Sequence, residues 1–245
     1  MTAFRRFGFA VALLMLAGCN QEAETAPTAK HAGATPAVAG RDWSRSVALT
    51  PDGGYLMGNP AAKVKLIEFG SLTCPHCGAF AKESVPLLIA QYVKPGLVSY
   101  EFRSFARDPL DLGVSVLVRC AGTAASFKLI DQLYADQDIW LGKVVNAPQA
   151  ESQRIGALPP DQAMPEMIKL AGLDRFFAMR GVPSGRVRQC LTDKAGQQKI
   201  ATIRAAAISK FDVQGTPTFI VNGTKAEDAH DFATLQPLLQ QALGS

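Results

Sequence analysis

Hydrophobic and polar positions change period several times along the 245-residue chain, and each change marks an element. The run Val64-Lys65-Leu66-Ile67-Glu68-Phe69 is rich in strand formers and predicts a buried strand over 63–69. A helix is predicted from Pro75. Pro86 should break or kink it, because proline has no N–H to donate and its ring collides with the preceding turn. Val98 to Phe105 alternates apolar and polar residues and predicts a second strand. This β-α-β order carries a right-handed crossover. From Asp108 to Lys210 apolar residues recur three and four apart, which predicts helices around 111–121, 123–136, 161–171, 174–180, 184–192 and 194–210. Pro159-Pro160-Asp161 reads as a helix start and Gly172 as a helix end. Thr218–Val221 predicts a strand, Asn222-Gly223 a hairpin turn, and 231–243 a last helix that Pro237 kinks or restarts. The fold class is α/β.

The N-terminus follows another pattern. Arg5 and Arg6 precede an apolar run from Phe7 to Ala17, then Gly18 and Cys19. At ~1.5 Å per residue this run is too short to span a bilayer, and it reads as a secretory signal. The order Leu16-Ala17-Gly18-Cys19 resembles the bacterial lipoprotein box, whose cysteine is lipidated and becomes the first mature residue. The alternatives are an ordinary signal with an incidental Cys19, and twin-arginine export, which Phe7-Gly8-Phe9 fits poorly. A lipidated Cys19 implies a periplasmic protein anchored to the inner or outer membrane, in an oxidising compartment. Gln21 to Gly40 is almost free of large apolar side chains and predicts a flexible tether over 19–42.

Composition narrows the function. Apolar residues make up 48% and charged residues 19%, which excludes a disordered chain. The formal net charge is +4, and two of its positive charges are Arg5 and Arg6, so a nucleic-acid partner is not expected. Three histidines make a multi-histidine metal centre an unpromising reading. No metal or soluble cofactor is expected.

The chemistry-bearing motif is Cys74-Pro75-His76-Cys77, two cysteines flanking two residues where a strand gives way to a helix. A thiolate is the reactive form of cysteine, and its pKa falls at a helix N-terminus and beside a cation. Cys74 at the N-cap, with Pro75 at the first helical position and His76 supplying an N–H or a charge, predicts an oxidising pair. Cys74 is expected to be exposed and attacked, and Cys77 more buried and resolving. The competing readings are weaker. Zinc would need two more suitably spaced ligands. Haem attachment needs His at position 78, which is Gly. A purely structural disulfide over two intervening residues is strained. Further along, Gly215-Thr216-Pro217-Thr218-Phe219 starts a strand with proline, either as an ordinary trans turn or as a cis bond.

Together these residues resemble the DsbA family of thioredoxin-fold disulfide oxidoreductases. Gly58-Asn59-Pro60, Val64, Glu68-Phe69 and Ser71 upstream, and Phe80 and Pro86 downstream, are similar to that family as well. The resemblance covers about residues 43–245. It implies a thioredoxin-like fold over 43–107 and 211–245, interrupted by an α-helical insertion over 108–210. It also implies a cis Thr216-Pro217 bond beside Cys74, where an unfolded substrate adds as an extra strand. Thr216 stands where the enterobacterial enzyme has valine and resembles the isomerase branch, which bears on redox tuning. Glu68, charged in a strand expected to be buried, either carries protons to and from Cys77 or faces a wet cavity structurally.

Cys120 and Cys190 remain. In an oxidising compartment two leftover cysteines of one domain usually pair, and the pair resembles the extra disulfide of some proteobacterial members. Two separate buried thiols are the alternative. Trp140, Leu141, Tyr134 and Phe127 read as helical core. Phe176, Phe177, Phe211 and Phe219 read as packing, His230 as solvated, and Arg180, Arg186 and Arg188 as a solvated face.

The function expected is insertion of disulfides into reduced exported proteins by a monomer, with reoxidation by a membrane quinone-linked partner of the DsbB type. A reductase or isomerase of the same fold, and a non-redox binding protein or chaperone for unfolded chains, are the alternatives.

Overall fold

The computed structural model of the chain describes residues 40–244. The signal over 1–18, the lipidation of Cys19 and the tether up to residue 39 lie outside them. Residues 40–42, placed in the tether by sequence, belong to the folded part. The Asp42 side chain accepts from the Ser44 N–H at 3.1 Å, and the Arg41 guanidinium lies 4.0 Å from the centre of the Trp43 ring.

One six-stranded sheet organises the fold. Its strands are β1 (Val47–Leu49), β2 (Tyr55–Met57), β3 (Val64–Gly70), β4 (Val98–Ser104), β5 (Thr218–Val221) and β6 (Thr224–Ala226), in the order β1-β2-β4-β3-β5-β6. Only β3 and β4 run parallel, and the helical crossover between them is what makes that possible. Asn222 and Gly223 both have positive φ (49° and 88°), as the tight turn joining β5 to β6 requires. The first hairpin was not anticipated. Its strands have three residues each, too few for an alternation to register.

The crossover contains α1 (Pro75–Glu83) and α2 (Val85–Leu88), which break at Ser84 ahead of Pro86. The last helix, which we number α11 (Phe232–Leu243), begins with a reciprocal Asp231–Thr234 cap and keeps Pro237 inside. Its first N–H, on Phe232, bonds to Ser84 Oγ at 2.9 Å, which ties α11 to the α1–α2 break. Val64 and Leu66 pack with Phe80, Leu88, Phe219, Leu235 and Leu239 in one apolar cluster.

Between β4 and β5 runs a block of helices: α3 (Pro109–Cys120), α4 (Ser126–Ala135), α5 (Gln137–Val145), α6 (Gln149–Gly156), α7 (Pro160–Leu170), α8 (Leu173–Ala178), α9 (Ser184–Thr192) and α10 (Lys194–Phe211). Buried apolar residues of every one of these helices but α6 share one cluster with Phe69, Phe102, Ile220, Cys74 and Cys77, so this block and the sheet enclose the redox motif together. Two of these helices, α5 and α6, carry no apolar stripe. In α6 only Ile155 is buried, and in α5 the buried pair is Gln137 and Trp140 while Ile139 and Val145 are exposed. Arg180 departs from its expected place on a solvated face. It stacks 3.6 Å from the Phe176 ring centre and donates to Gln132 Oε1 at 2.7 Å.

Candidate active site

β3 ends at Gly70, and the loop Ser71-Leu72-Thr73 leads into α1 with Cys74 as its N-cap and Pro75 in the first turn. The Cys74 sulfur therefore stands at the positive end of the helix. Both Cys74 and Cys77 are free thiols in the structure. Cys74 is only 2% exposed, which corrects the expectation of an open sulfur. The covering element is the turn before β5. Its Thr216–Pro217 bond is cis, and the Thr216 carbonyl lies 3.2 Å from Cys74 Sγ. Cys77 is fully buried, and its sulfur accepts from the Ser71 N–H at 3.5 Å.

The two sulfurs are electrostatically unlike. Cys74 is held down to about 4, first by a hydrogen bond from the Cys77 thiol. Burial works against this, while the Thr216 hydroxyl, the Cys77 N–H and the Arg107 charge add to it. The Thr216 hydroxyl is buried and has no other hydrogen-bond partner. Cys77 is pushed well above its ordinary value by burial, by its bond to Cys74 and by the nearby Glu68 charge. Asymmetry of this kind suits a nucleophile and its resolving partner. The cation that acts on Cys74 is Arg107. His76, assigned that part from sequence, is exposed and makes no hydrogen bond to the sulfur.

Glu68 is 1% exposed and accepts from the Tyr100 hydroxyl. Burial raises it to about 7, with the Tyr100 bond opposing and the Cys74 charge assisting. It is a buried carboxyl within electrostatic reach of both cysteines.

Several site residues were not anticipated, and most come from the helical block. Asp111 is 0% exposed and accepts from Ser71 Oγ (2.6 Å), Leu72 N (3.0 Å) and Arg107 N (3.0 Å). Burial raises it to about 7 against those hydrogen bonds. Asp108 caps α3 and accepts from Thr73 Oγ1 at 2.7 Å. The Tyr134 hydroxyl donates to the Ser71 carbonyl at 3.1 Å. Gln137 Nε2 donates to the carbonyls of Leu72 (2.8 Å) and Cys74 (3.0 Å). A Cβ at Gly78 would come within 2.5 Å of Gln137 Oε1, so a side chain there would push the Gln137 amide from its place. One signal in the sequence pointed here: Asp111 occupies the buried stripe of α3 with Val114 and Val118, where an unpaired charge is costly.

Away from the redox pair, Cys120 at the end of α3 and Cys190 in α9 form a disulfide with a Cα–Cα distance of 6.1 Å. His230 is exposed and its Nδ1 lies 2.9 Å from the Asp228 carbonyl. Among the described residues no cluster of His, Cys, Asp and Glu is arranged to hold a metal.

Known proteins resemble this chain in sequence and fold. A protein-disulfide isomerase from Novosphingobium aromaticivorans is 34% identical and superposes with a TM-score of 0.73, over 78% of this chain and 97% of its own. Wolbachia pipientis alpha-DsbA1, at 22% identity, shares the fold with a TM-score of 0.63 over 80% of this chain and 92% of its own. A Rickettsia prowazekii protein, provisionally named a protein-disulfide oxidoreductase, is 28% identical over 72% of this chain. The match spans 57% of that relative's length. The family model described as Thioredoxin matches residues 50–241. That span runs from the first hairpin to the last helix and takes in the redox motif, the helical block and the cis-proline turn, and on it the chain belongs to the thioredoxin family, with a fold of the DsbA type.

Proposed function

We propose that the protein is a thiol:disulfide oxidoreductase that introduces disulfides into reduced exported proteins through Cys74 and Cys77. The observation that carries this reading is the opposed tuning of the two sulfurs, one held down to about 4 and the other pushed up. A low-pKa thiolate is a good leaving group and stabilises the reduced enzyme, so its disulfide is a strong oxidant.

In the oxidised enzyme a substrate thiolate attacks Cys74 Sγ. The Cys74–Cys77 bond breaks, and Cys77 leaves as a thiolate that must take up a proton. Glu68 is the buried acid placed to supply it. The substrate's second thiolate then attacks its own sulfur in the mixed disulfide and releases Cys74 as a thiolate. Two electrons have passed from substrate to enzyme. An extended substrate pairing with the turn at Thr216 and Pro217 displaces the Cys74–Thr216 contact and brings its cysteine to the sulfur. Reoxidation by a quinone-linked membrane partner of the DsbB type closes the cycle, with no metal or soluble cofactor. The signal pattern ending in Cys19 supports a periplasmic protein held on the inner or outer membrane by lipid, acting as a monomer. The Cys120–Cys190 bond serves structure.

An isomerase or reductase direction is favoured by the 34% identity to a protein-disulfide isomerase and by Thr216. Equilibrating the Cys74–Cys77 pair with glutathione separates the two. A potential well above the glutathione couple supports the oxidase; one near thioredoxin's overturns it in favour of the other direction. A Cys74→Ala variant that retains full activity on substrate would overturn both and leave a chaperone.

A further inference from the structure

Arg107 is an exposed residue whose guanidinium turns back into the redox loop. Its Nε donates to Ser71 Oγ at 3.0 Å and its Nη2 reaches Thr73 Oγ1 at 3.5 Å, on the residue next to Cys74. Its own backbone N–H donates to Asp111 Oδ2 at 3.0 Å, and Ser71 Oγ donates to the same oxygen at 2.6 Å. The buried Asp111 carboxyl therefore grips both Arg107 and the serine on which the guanidinium rests. Asp108, which accepts from Thr73 and from the Asp111 N–H, closes the network.

We propose that Arg107 raises the oxidising strength of the Cys74–Cys77 pair by placing a positive charge against the loop at Cys74, and that Asp111 is the positioning residue holding it there. The inference rests on the redox reading above and adds to it a residue pair from the helical block. Titratable and charged groups reach the pair from every element around it: Glu68 on β3, Tyr100 on β4, His76 on α1, Asp108 and Asp111 on α3, and Tyr134 on α4. Arg107, two residues ahead of α3, adds the positive charge that acts on Cys74. Arg107 and Asp108 also line an open cleft of about 430 Å³ with Lys194 and Arg204, so salt and solvent reach the guanidinium.

The balance of the reaction makes the effect readable. Two glutathione thiols reduce the disulfide and leave as glutathione disulfide. Cys77 keeps one proton and Cys74, as a thiolate, releases the other. A cation beside Cys74 therefore favours the reduced side and lowers the pH at which Cys74 begins to react. In Arg107→Met the glutathione equilibrium should shift roughly three- to tenfold toward the disulfide. The midpoint of Cys74 alkylation against pH should rise by about half to one unit. Arg107→Lys should recover most of both. Raising salt should move the wild-type midpoint upward and that of Arg107→Met by less, which a merely structural role would not produce. Asp111→Asn, with Arg107 intact, should shift both readouts in the same direction.

Wild-type values in Arg107→Met, or a lysine variant no different from the methionine one, would overturn the proposal. If Arg107→Met fails to fold, Arg107→Gln replaces it under the same criteria. A wild-type protein that does not equilibrate with glutathione at all would instead overturn the redox reading itself.

Discussion

Cys74 and Thr216, 142 residues apart in the chain, meet at 3.2 Å between the cysteine sulfur and the threonine carbonyl. The same threonine presents a buried hydroxyl that has no other hydrogen-bond partner and helps hold Cys74 down. Replacing it by Val keeps the carbonyl and removes the hydroxyl. Thr216→Val should therefore raise the Cys74 midpoint in pH-dependent alkylation while leaving the fold intact by circular dichroism. An unchanged midpoint would show that the hydroxyl contributes nothing.

The stability of the reduced protein should rise with pH across the acid and neutral range on account of Cys74. Its value is lowered from 9.0 to about 4 in the folded state. Between those values the unfolded chain binds more protons than the folded one, so stability is complete above 9 and lost as pH falls through about 4. Denaturant unfolding of the reduced protein at several pH values, with Cys74→Ser as reference, measures this. A reference with the same slope would refute it.

Glu68 acts in the opposite direction. Burial raises its carboxyl from 4.5 to about 7, so its favourable contribution is full below 4.5 and disappears as pH climbs through about 7. Glu68→Gln should flatten that decline by about 3 kcal/mol. It should also slow formation of the mixed disulfide, the step in which Cys77 leaves Cys74 and takes up a proton, as seen in stopped-flow kinetics with a cysteine peptide.

Gly78 and Gln137 form a testable pair. The alanine methyl of Gly78→Ala would meet Gln137 Oε1 at 2.5 Å, and it should cost roughly 1–3 kcal/mol by displacing the amide from the Leu72 and Cys74 carbonyls. Combining it with Gln137→Ala removes the clash, so the two costs should not add. A double-mutant cycle that is additive within about 0.5 kcal/mol would rule the coupling out.

The Cys120–Cys190 disulfide closes a loop of 70 residues between α3 and α9. Replacing both cysteines by alanine should cost about 4 kcal/mol in the chain-entropy limit. Urea unfolding reads this directly, and an unaltered midpoint would mean that the bond contributes nothing to the native state.

The core strands, α1 and the later helices were legible because their signals are local. β3 is a run of strand formers, Pro75 follows an N-cap, and Asn222-Gly223 suits only a tight turn. The first hairpin was too short to register, and α5 and α6 lack an apolar stripe. In α6, Arg154 pairs with Glu151 of the same helix and with Glu166 of α7. The redox motif could be read as chemistry from four adjacent residues, because a helix N-terminus activates a cysteine whatever surrounds it.

What surrounds it was decided by tertiary structure. The sequence by itself determined that Cys74 is a candidate nucleophile, that Cys77 is its partner and that Glu68 is a costly charge in a buried strand. It did not determine which cation faces the nucleophile, because a guanidinium at position 107 reaches Thr73 only when α3 docks on the loop. Nor did it determine how far Cys74 is covered, since the covering turn arrives from residue 216. Short-range pattern reports on backbone preference and burial, whereas charge and access depend on distances between segments far apart in the chain, and only the folded packing sets those.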